Sequence, residues 1–290
     1  MQSNGTIVTP PWMQRTSQHA WEYLTPGPKS ECYFHTRWLT ECPAAGPRCY
    51  VPILWTHVYW DVRDDRRLRK IQGLLNKLRG RKTFTVVQHD LGIWKHRVPK
   101  DMLVFGAGGR GDIPIPLLYH IPLSDHPVNR EKHFAYFAGE IARQPSRNFV
   151  RHKMQHDLLG HGPDFTVIDT AQYPEQYVPA RQHMRECTFA LCPRGHGKTS
   201  YRLYEAMHYG AIPVVIFDRP WLPYQEELDW DEFTVQCHVD DVAELPQRLK
   251  KYSPMQIQDM QGKIADLVPQ YFTLESMYAW ILRYLRHEQI

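Results

Sequence analysis

Between Thr188 and Asp218 the chain reads TFALCPRGHGKTSYRLYEAMHYGAIPVVIFD, and this stretch leaves few folds open. Thr188 to Cys192 is an apolar run of strand length, and Pro193, with no N–H to give, ends the ladder. Gly195 and Gly197 let the backbone pass close to a ligand. Ser200 is a good N-cap for a helix running to Tyr209, with Gly210 as its C′ stop. Ile212 to Phe217 is a second buried strand. Strand, glycine-containing loop, helix and strand make a βαβ unit, whose loop lies at the carboxyl edge of a parallel sheet, where α/β proteins bind ligands.

The loop's chemistry points to an anion such as phosphate. A helix N-terminus presents unpaired N–H groups and about half a positive charge, and Arg194, Lys198 and Arg202 add full charges around it. A Walker A loop is one reading, since Gly197-Lys198-Thr199 supplies its last residues, but Cys192 stands where that motif needs its first glycine. The second reading uses Glu205, one turn beyond Arg202, as an acceptor of ribose hydroxyls. Taken alone, the residues favour a plainer alternative, an Arg202–Glu205 surface pair worth roughly 0.2–0.5 kcal/mol.

The run PRGHGKTSYRLYEAMHYGAIPVVIFD, continued by WLPYQEELDWDEFTV, resembles the nucleotide-sugar half of the exostosin-like glycosyltransferases, family 47. That family reads P-R-G, then S-x-R-x-x-E-A, then G-x-I-P-V, L-P and D-W. Arg194, Ser200, Arg202, Glu205, Gly210, Pro213, Pro223 and Trp230 fall in place. The resemblance extends more loosely over Phe134 to Phe272.

Composition is compatible with this. The 290 residues suffice for two domains, and 42% hydrophobic residues can furnish sizeable cores. A net charge of +4 is too small for a nucleic-acid surface. The six cysteines form no C-x-x-C pair, so neither a zinc ribbon nor a redox motif is expected. Cys187, Cys192 and Cys237 read as buried thiols, while Cys32, Cys42 and Cys49 are near enough for one disulfide in an oxidising compartment. No run of 18 apolar residues and no signal core occurs. The expectation is a soluble cytoplasmic protein, or one of the Golgi lumen if an N-terminal anchor was removed.

In chain order, residues 1 to about 30 read as an irregular lead-in. Cys32 to Trp38 and Tyr50 to Trp60 read as strands, with Trp55 a core residue and His57, Tyr59 and Trp60 candidates for an acceptor sugar. Asp64 to Leu78 reads as a helix with a solvated basic face. Thr83 to Gln88 is a buried strand that delivers His89-Asp90-Leu91-Gly92 at its carboxyl end. Plant-type relatives carry H-D-W-G there, so Leu91 replaces a tryptophan. Met102 to Phe105 is a strand, followed by a flexible glycine-rich loop to Asp112. Ile113-Pro114-Ile115-Pro116 forbids the helix that a dinucleotide fingerprint requires. Ile121 to Val128 is the expected linker. Phe134 to Gly139 opens a second domain, with Arg143, Arg147 and Arg151 as candidate phosphate contacts. Phe165 to Ile168 is a strand, Tyr177 to Cys187 a helix, Val242 to Leu267 helical with breaks at Pro246 and Pro254, and Leu274 to Leu285 a last amphipathic helix.

The resemblance implies a GT-B fold of two Rossmann-like α/β domains facing each other across a cleft. It places an acceptor domain at 1–127, a nucleotide-sugar domain at 128–272 and a terminal helix at 273–290 packing back on the first. It implies an inverting glycosyltransferase that moves a sugar from a UDP-sugar, of the UDP-xylose, UDP-galactose or UDP-glucuronate type, to a glycan hydroxyl without a metal. Arg143, Arg194, Gly195, Ser200, Tyr201, Arg202 and Glu205 would hold the donor. Asp90 is the first candidate for the base, with Asp112, His89 and His57 behind it. Asp229-Trp230-Asp231 is formally a metal-binding D-x-D but sits where a turn or cap is expected. The competing readings are a P-loop-like nucleotide kinase and a non-catalytic glycan-binding protein.

Overall fold

In the computed structural model, residues 2–3, 5–14, 29–43, 46–61, 65–121, 133–141, 148–173, 175 and 179–287 are described. The chain forms two compact units, Met1–His120 with Tyr271–Ile290, and Ile121–Gln270.

The first unit is built on a six-stranded sheet in sequential order: β1 (Gln2–Ser3), β2 (Thr6–Ile7), β3 (Cys49–Tyr50), β4 (Thr83–Val87), β5 (Met102–Gly106) and β6 (Ile113–Pro114). Only the β1–β2 pair is antiparallel. Every residue of β4 is buried, as expected of a parallel strand covered on both faces. Its helices are α1 (Pro11–Gln14), α2 (Ser30–Glu41), α3 (Trp55–Asp61) and α4 (Asp65–Lys77). Arg66, Arg67, Arg69 and Lys70 lie on the exposed face of α4.

Three expectations are corrected here. The N-terminal residues contribute edge strands to the sheet, with Ile7 and Met13 buried. Cys32 to Trp38 is helix rather than strand, because its buried residues Ser30, Glu31, Phe34, His35 and Trp38 recur at helical spacing. After two strand residues, Cys49–Tyr50, the chain turns at Val51–Ile53 and becomes α3. Aromatic content suggested β structure, but what these rings do is converge from different segments. Phe34, Trp38, Tyr50 and Phe84 pack with centroids 5.1–6.0 Å apart, each favourable pair adding about 0.5–1.5 kcal/mol beyond its burial.

The second unit carries a five-stranded, wholly parallel sheet of β7 (His133–Gly139), β8 (Phe165–Asp169), β9 (Cys187–Pro193), β10 (Ile212–Phe217) and β11 (Val235–His238). The order is β11-β10-β9-β7-β8. The chain therefore steps one way from β7 to β8 and the other way from β9 onward, which puts a topological switch point between β7 and β9. Its helices are α5 (Phe149–Leu158), α6 (Pro179–Arg185), α7 (Tyr201–His208), α8 (Leu245–Leu249) and α9 (Pro254–Tyr271). Pro254 begins α9 rather than breaking a helix, and Pro246 sits in the first turn of α8, the position where a missing N–H costs least. The last helix, α10 (Leu274–His287), belongs with the first unit: Tyr278 packs 5.2 Å from Phe34, and Tyr284 5.7 Å from Phe105. The fold class is thus α/β with two Rossmann-like units, the pair that the GT-B class comprises. The expected linker, apart from Ile121, and the residues Arg143 and Arg147 lie outside the described residues.

Candidate functional site

Local chemistry shapes the loop between β9 and α7. Pro193 is the last strand residue, paired with Ile216 of β10. The Ser200 Oγ accepts from the Arg202 amide at 3.3 Å and caps α7. Gly210, at φ 72°, supplies the left-handed stop. Within the loop the Gly195 amide donates to the Thr199 carbonyl at 3.0 Å.

Charged groups here are paired and oriented. Arg194 makes a two-point bond to Asp218, Nε to Oδ1 at 2.5 Å and Nη2 to Oδ2 at 3.1 Å, and lies over the Phe149 ring. Burial pushes the Asp218 carboxyl up, but the Arg194 hydrogen bond and charge prevail and hold it below its usual value. Arg202 donates to Glu205 at 2.6 Å, with the Glu205 side chain 4% exposed. The surface-pair alternative is therefore overturned: Glu205 is buried and Arg202 largely so. Arg151 of α5 donates to the carbonyl of Glu140, just past β7, at 2.6 Å and to that of Arg194, just past β9, at 3.3 Å. It spans the switch point, and a Cβ on Gly195 would lie 3.6 Å from its Nη2.

Beside this loop Lys198, Thr199, Ser200 and Trp221 line a cavity of about 10 Å³, room for roughly one water. The Thr199 Oγ1 is buried without a hydrogen-bond partner among the described residues, and the Lys198 ammonium rests 4.9 Å from the centre of the Trp221 ring. Tyr201, half-buried, begins α7. Asp229 caps a short 3₁₀ turn by accepting from the Asp231 amide at 3.0 Å, while Asp231 accepts from Gln236 at 2.6 Å. The D-x-D is a cap, as expected.

In the first unit, His89 and Asp90 follow β4 in a half-buried turn. The His89 Nδ1 accepts from the Leu91 amide at 3.1 Å, so the neutral ring carries its proton on Nε2 and offers a donor there rather than a base. Burial first, and then the Lys95 charge, lowers its pKa and keeps it neutral. The ring stacks on Trp94 and meets the edge of Tyr59. Trp94, 50% exposed, thus supplies an aromatic face three residues after Leu91. The Tyr59 hydroxyl donates to His96 Nδ1 at 2.9 Å, and His96 Nε2 donates to the Leu68 carbonyl at 3.0 Å. His57 is buried on α3, and the side chain of Trp60 lies outside the described residues.

The glycine-rich segment after β5 is close-packed, not the flexible loop expected. Gly106 to Gly109 are buried, a Cβ on Gly108 would meet the Gln88 carbonyl at 2.3 Å, and one on Gly92 would meet Arg110 Cβ at 2.9 Å. The glycines let two backbone loops touch. Asp112 is exposed, yet its Oδ2 accepts from the Val104 amide at 2.8 Å, bracing β5.

Two residues that sequence reasoning missed matter here. Asp218 stands at the carboxyl end of β10, next to the loop, and that position is a readable signal. Glu31 carried none. It is wholly buried on α2 and accepts from the amides of Thr56 and Gln88 and from the Thr56 hydroxyl. It therefore ties the start of α3 to Gln88, the residue between β4 and His89. Burial raises its pKa to about 7, against the pull of those donors.

Residues 104–252 match the exostosin GT47 domain. A "probable glycosyltransferase" of Arabidopsis thaliana is 38% identical over 119 residues, which cover 41% of this chain and 23% of that protein. A "probable beta-1,4-xylosyltransferase" of the same plant is 25% identical over 224 residues, 66% of this chain and 52% of that one. The matched stretches thus span between about a quarter and a half of these relatives. The solved structure of TarM aligns at 10% identity with a TM-score of 0.46, covering 82% of this chain and 50% of that one. With the domain matching just over half of its 290 residues, on both sides of the strand–loop–helix described above, the chain belongs to the exostosin GT47 family.

Proposed function

We propose that the chain transfers a sugar from a UDP-sugar to a hydroxyl of a glycan acceptor, with inversion at the anomeric carbon and without a metal at the diphosphate. The observation that carries this reading is the carboxyl edge of the second unit. There a capped helix N-terminus, the Arg194–Asp218 pair and Arg151 meet at a switch point inside the matched domain. Such an edge suits a nucleoside diphosphate: α7 and the guanidinium groups of Arg194 and Arg151 stabilise the leaving group's charge, and Thr199 offers a further donor. Glu205, in the second turn of α7 and held by Arg202, would accept from the ribose hydroxyls. Arg143, Gly195, Ser200, Tyr201 and Arg202 complete the proposed donor set, Ser200 through its cap.

The first unit is the proposed acceptor side. Asp90 would take the proton of the attacking hydroxyl as the new bond forms, with the His89 Nε2–H as a neighbouring donor. Asp112 is the second candidate, its carboxylate accepting from the Val104 amide. Tyr59 and Trp94 would offer aromatic faces to the acceptor sugar, with His57 and Trp60 as further candidates.

Titration of the full chain with UDP and with ATP tests the donor assignment. UDP should bind and ATP should not, activity should survive EDTA, and Glu205→Gln, which keeps the volume of a buried residue, should weaken UDP binding at least tenfold. Binding of ATP in preference to UDP would favour the kinase, and glycan binding without UDP binding would favour a lectin.

A further inference from the structure

A second cluster of chemistry-bearing side chains lies at the opposite edge of the β7–β9 pair. His133 is the first residue of β7, His183 lies in the last turn of α6, and Glu186 is the single residue between α6 and the start of β9 at Cys187. Since the Arg194 loop follows the other end of β9, seven residues away, the cluster is roughly 20 Å from it along the strand. From this arrangement we propose that His133, His183 and Glu186 form a binding site for one borderline divalent cation of the zinc type, which clamps α6 to the start of β7.

Geometry carries the assignment. His133 Nε2 and His183 Nδ1 are 3.1 Å apart, and His183 Nδ1 and Glu186 Oε2 are 3.6 Å apart. All three ligand atoms lie within 4.8 Å of one another. Two nitrogens and a carboxylate oxygen at about 2.0–2.2 Å from a tetrahedral ion stand roughly 3.3–3.5 Å from each other. The first two separations need to change by only a few tenths of an ångström. The third closes by rotation of the Glu186 side chain. Two imidazoles and one carboxylate are a donor set for zinc-like ions rather than for calcium or magnesium, which prefer all-oxygen shells. Water would take the fourth position.

The surroundings hold the ligands in place. Glu186 Oε1 accepts from the Gln182 side-chain Nε2 at 3.2 Å, which steadies the carboxylate beside His183; outer partners of this kind orient metal ligands. The His133 amide donates to the Glu186 carbonyl at 3.3 Å, and His133 pairs in register with Cys187, so the backbone fixes strand and helix end side by side. Tyr136 walls the pair, its ring 5.3 Å from that of His133 and 5.5 Å from that of His183. His183 and Glu186 are 25% and 17% exposed, which leaves an ion a way in. Without metal, the two nitrogens share one proton as a hydrogen bond.

The test is calorimetric titration of the chelator-stripped full chain with zinc, together with thermal unfolding and the visible spectrum of the cobalt(II) form. One equivalent should bind, Tm should rise with added zinc, and cobalt should give the strong visible absorption of a tetrahedral site. His183→Gln and Glu186→Gln should each weaken binding at least tenfold, and His183→Gln should leave UDP binding unchanged. Should His133→Gln fail to fold, the partly exposed His183 decides alone. Absence of micromolar zinc binding would overturn the assignment. So would binding that survives in His183→Gln but is lost in Cys42→Ser.

Discussion

The loop after β9 and the loop after β4 hold corresponding places, each at the carboxyl end of a central parallel strand, yet they are built differently. The first is made almost wholly within one stretch of chain, from Pro193 to Asp218, with Arg151 added from α5. Arg194 and Arg202 are paired with Asp218 and Glu205, and its helix is capped by its own Ser200. The second is assembled from afar, Glu31 from α2, Tyr59 from α3, Trp94 and His96 from a loop, and Gly108 from the segment after β5. A locally built site tolerates little change without loss of structure. One built from converging segments can alter its exposed groups while its buried anchors stay.

The comparison is sharpened most by Asp90→Asn. If the first unit supplies the base, turnover should fall about 10²–10⁴-fold while UDP affinity stays near that of the wild type. A fall of less than tenfold, with collapse in Asp112→Asn, would hand the role to Asp112. In the second unit the same kind of change should act on the fold as well as on UDP binding. Arg202→Ala leaves the buried Glu205 carboxylate without its ion-pair partner, and urea unfolding should show a loss of about 3–5 kcal/mol. A loss below 1 kcal/mol would mean the pair behaves as an exposed one.

Ser200→Ala removes the cap of α7 and should cost about 0.5–2 kcal/mol, read from the same unfolding curves, with weaker UDP binding beside it. An unchanged midpoint would show the cap to be dispensable. The subtlest effect is one of slope. Glu31 is raised from 4.5 to about 7 in the fold, so between those values the folded chain holds a proton that the unfolded chain has lost, and this group's contribution to stability falls as pH rises through the window. His35, lowered by burial to about 4, acts in the opposite sense, its contribution growing with pH up to about 6.5. Glu31→Gln should therefore make stability climb more steeply between pH 4.5 and 7 than in the wild type. Parallel curves would show that Glu31 is not raised.

Sequence alone determined the second unit's core element because its signals are short-range. Pro193, Ser200 and Gly210 act on their own backbone neighbours, and they bound the apolar runs 188–192 and 212–217 at strand length. The β4 strand and the amphipathic α4 and α10 were legible for the same reason. In Cys32 to Trp38 the helical spacing of Phe34 and Trp38 was present but masked by aromatic content, and only the tertiary structure decided that these rings meet those of Tyr50 and Phe84. It alone paired Arg194 with Asp218, buried Glu205 against Arg202, and turned the glycines after β5 from a hinge into a close contact. Those outcomes depend on which groups share a small volume once water is gone. Burial, charge pairing and backbone approach are properties of that volume, and no spacing along the chain encodes them.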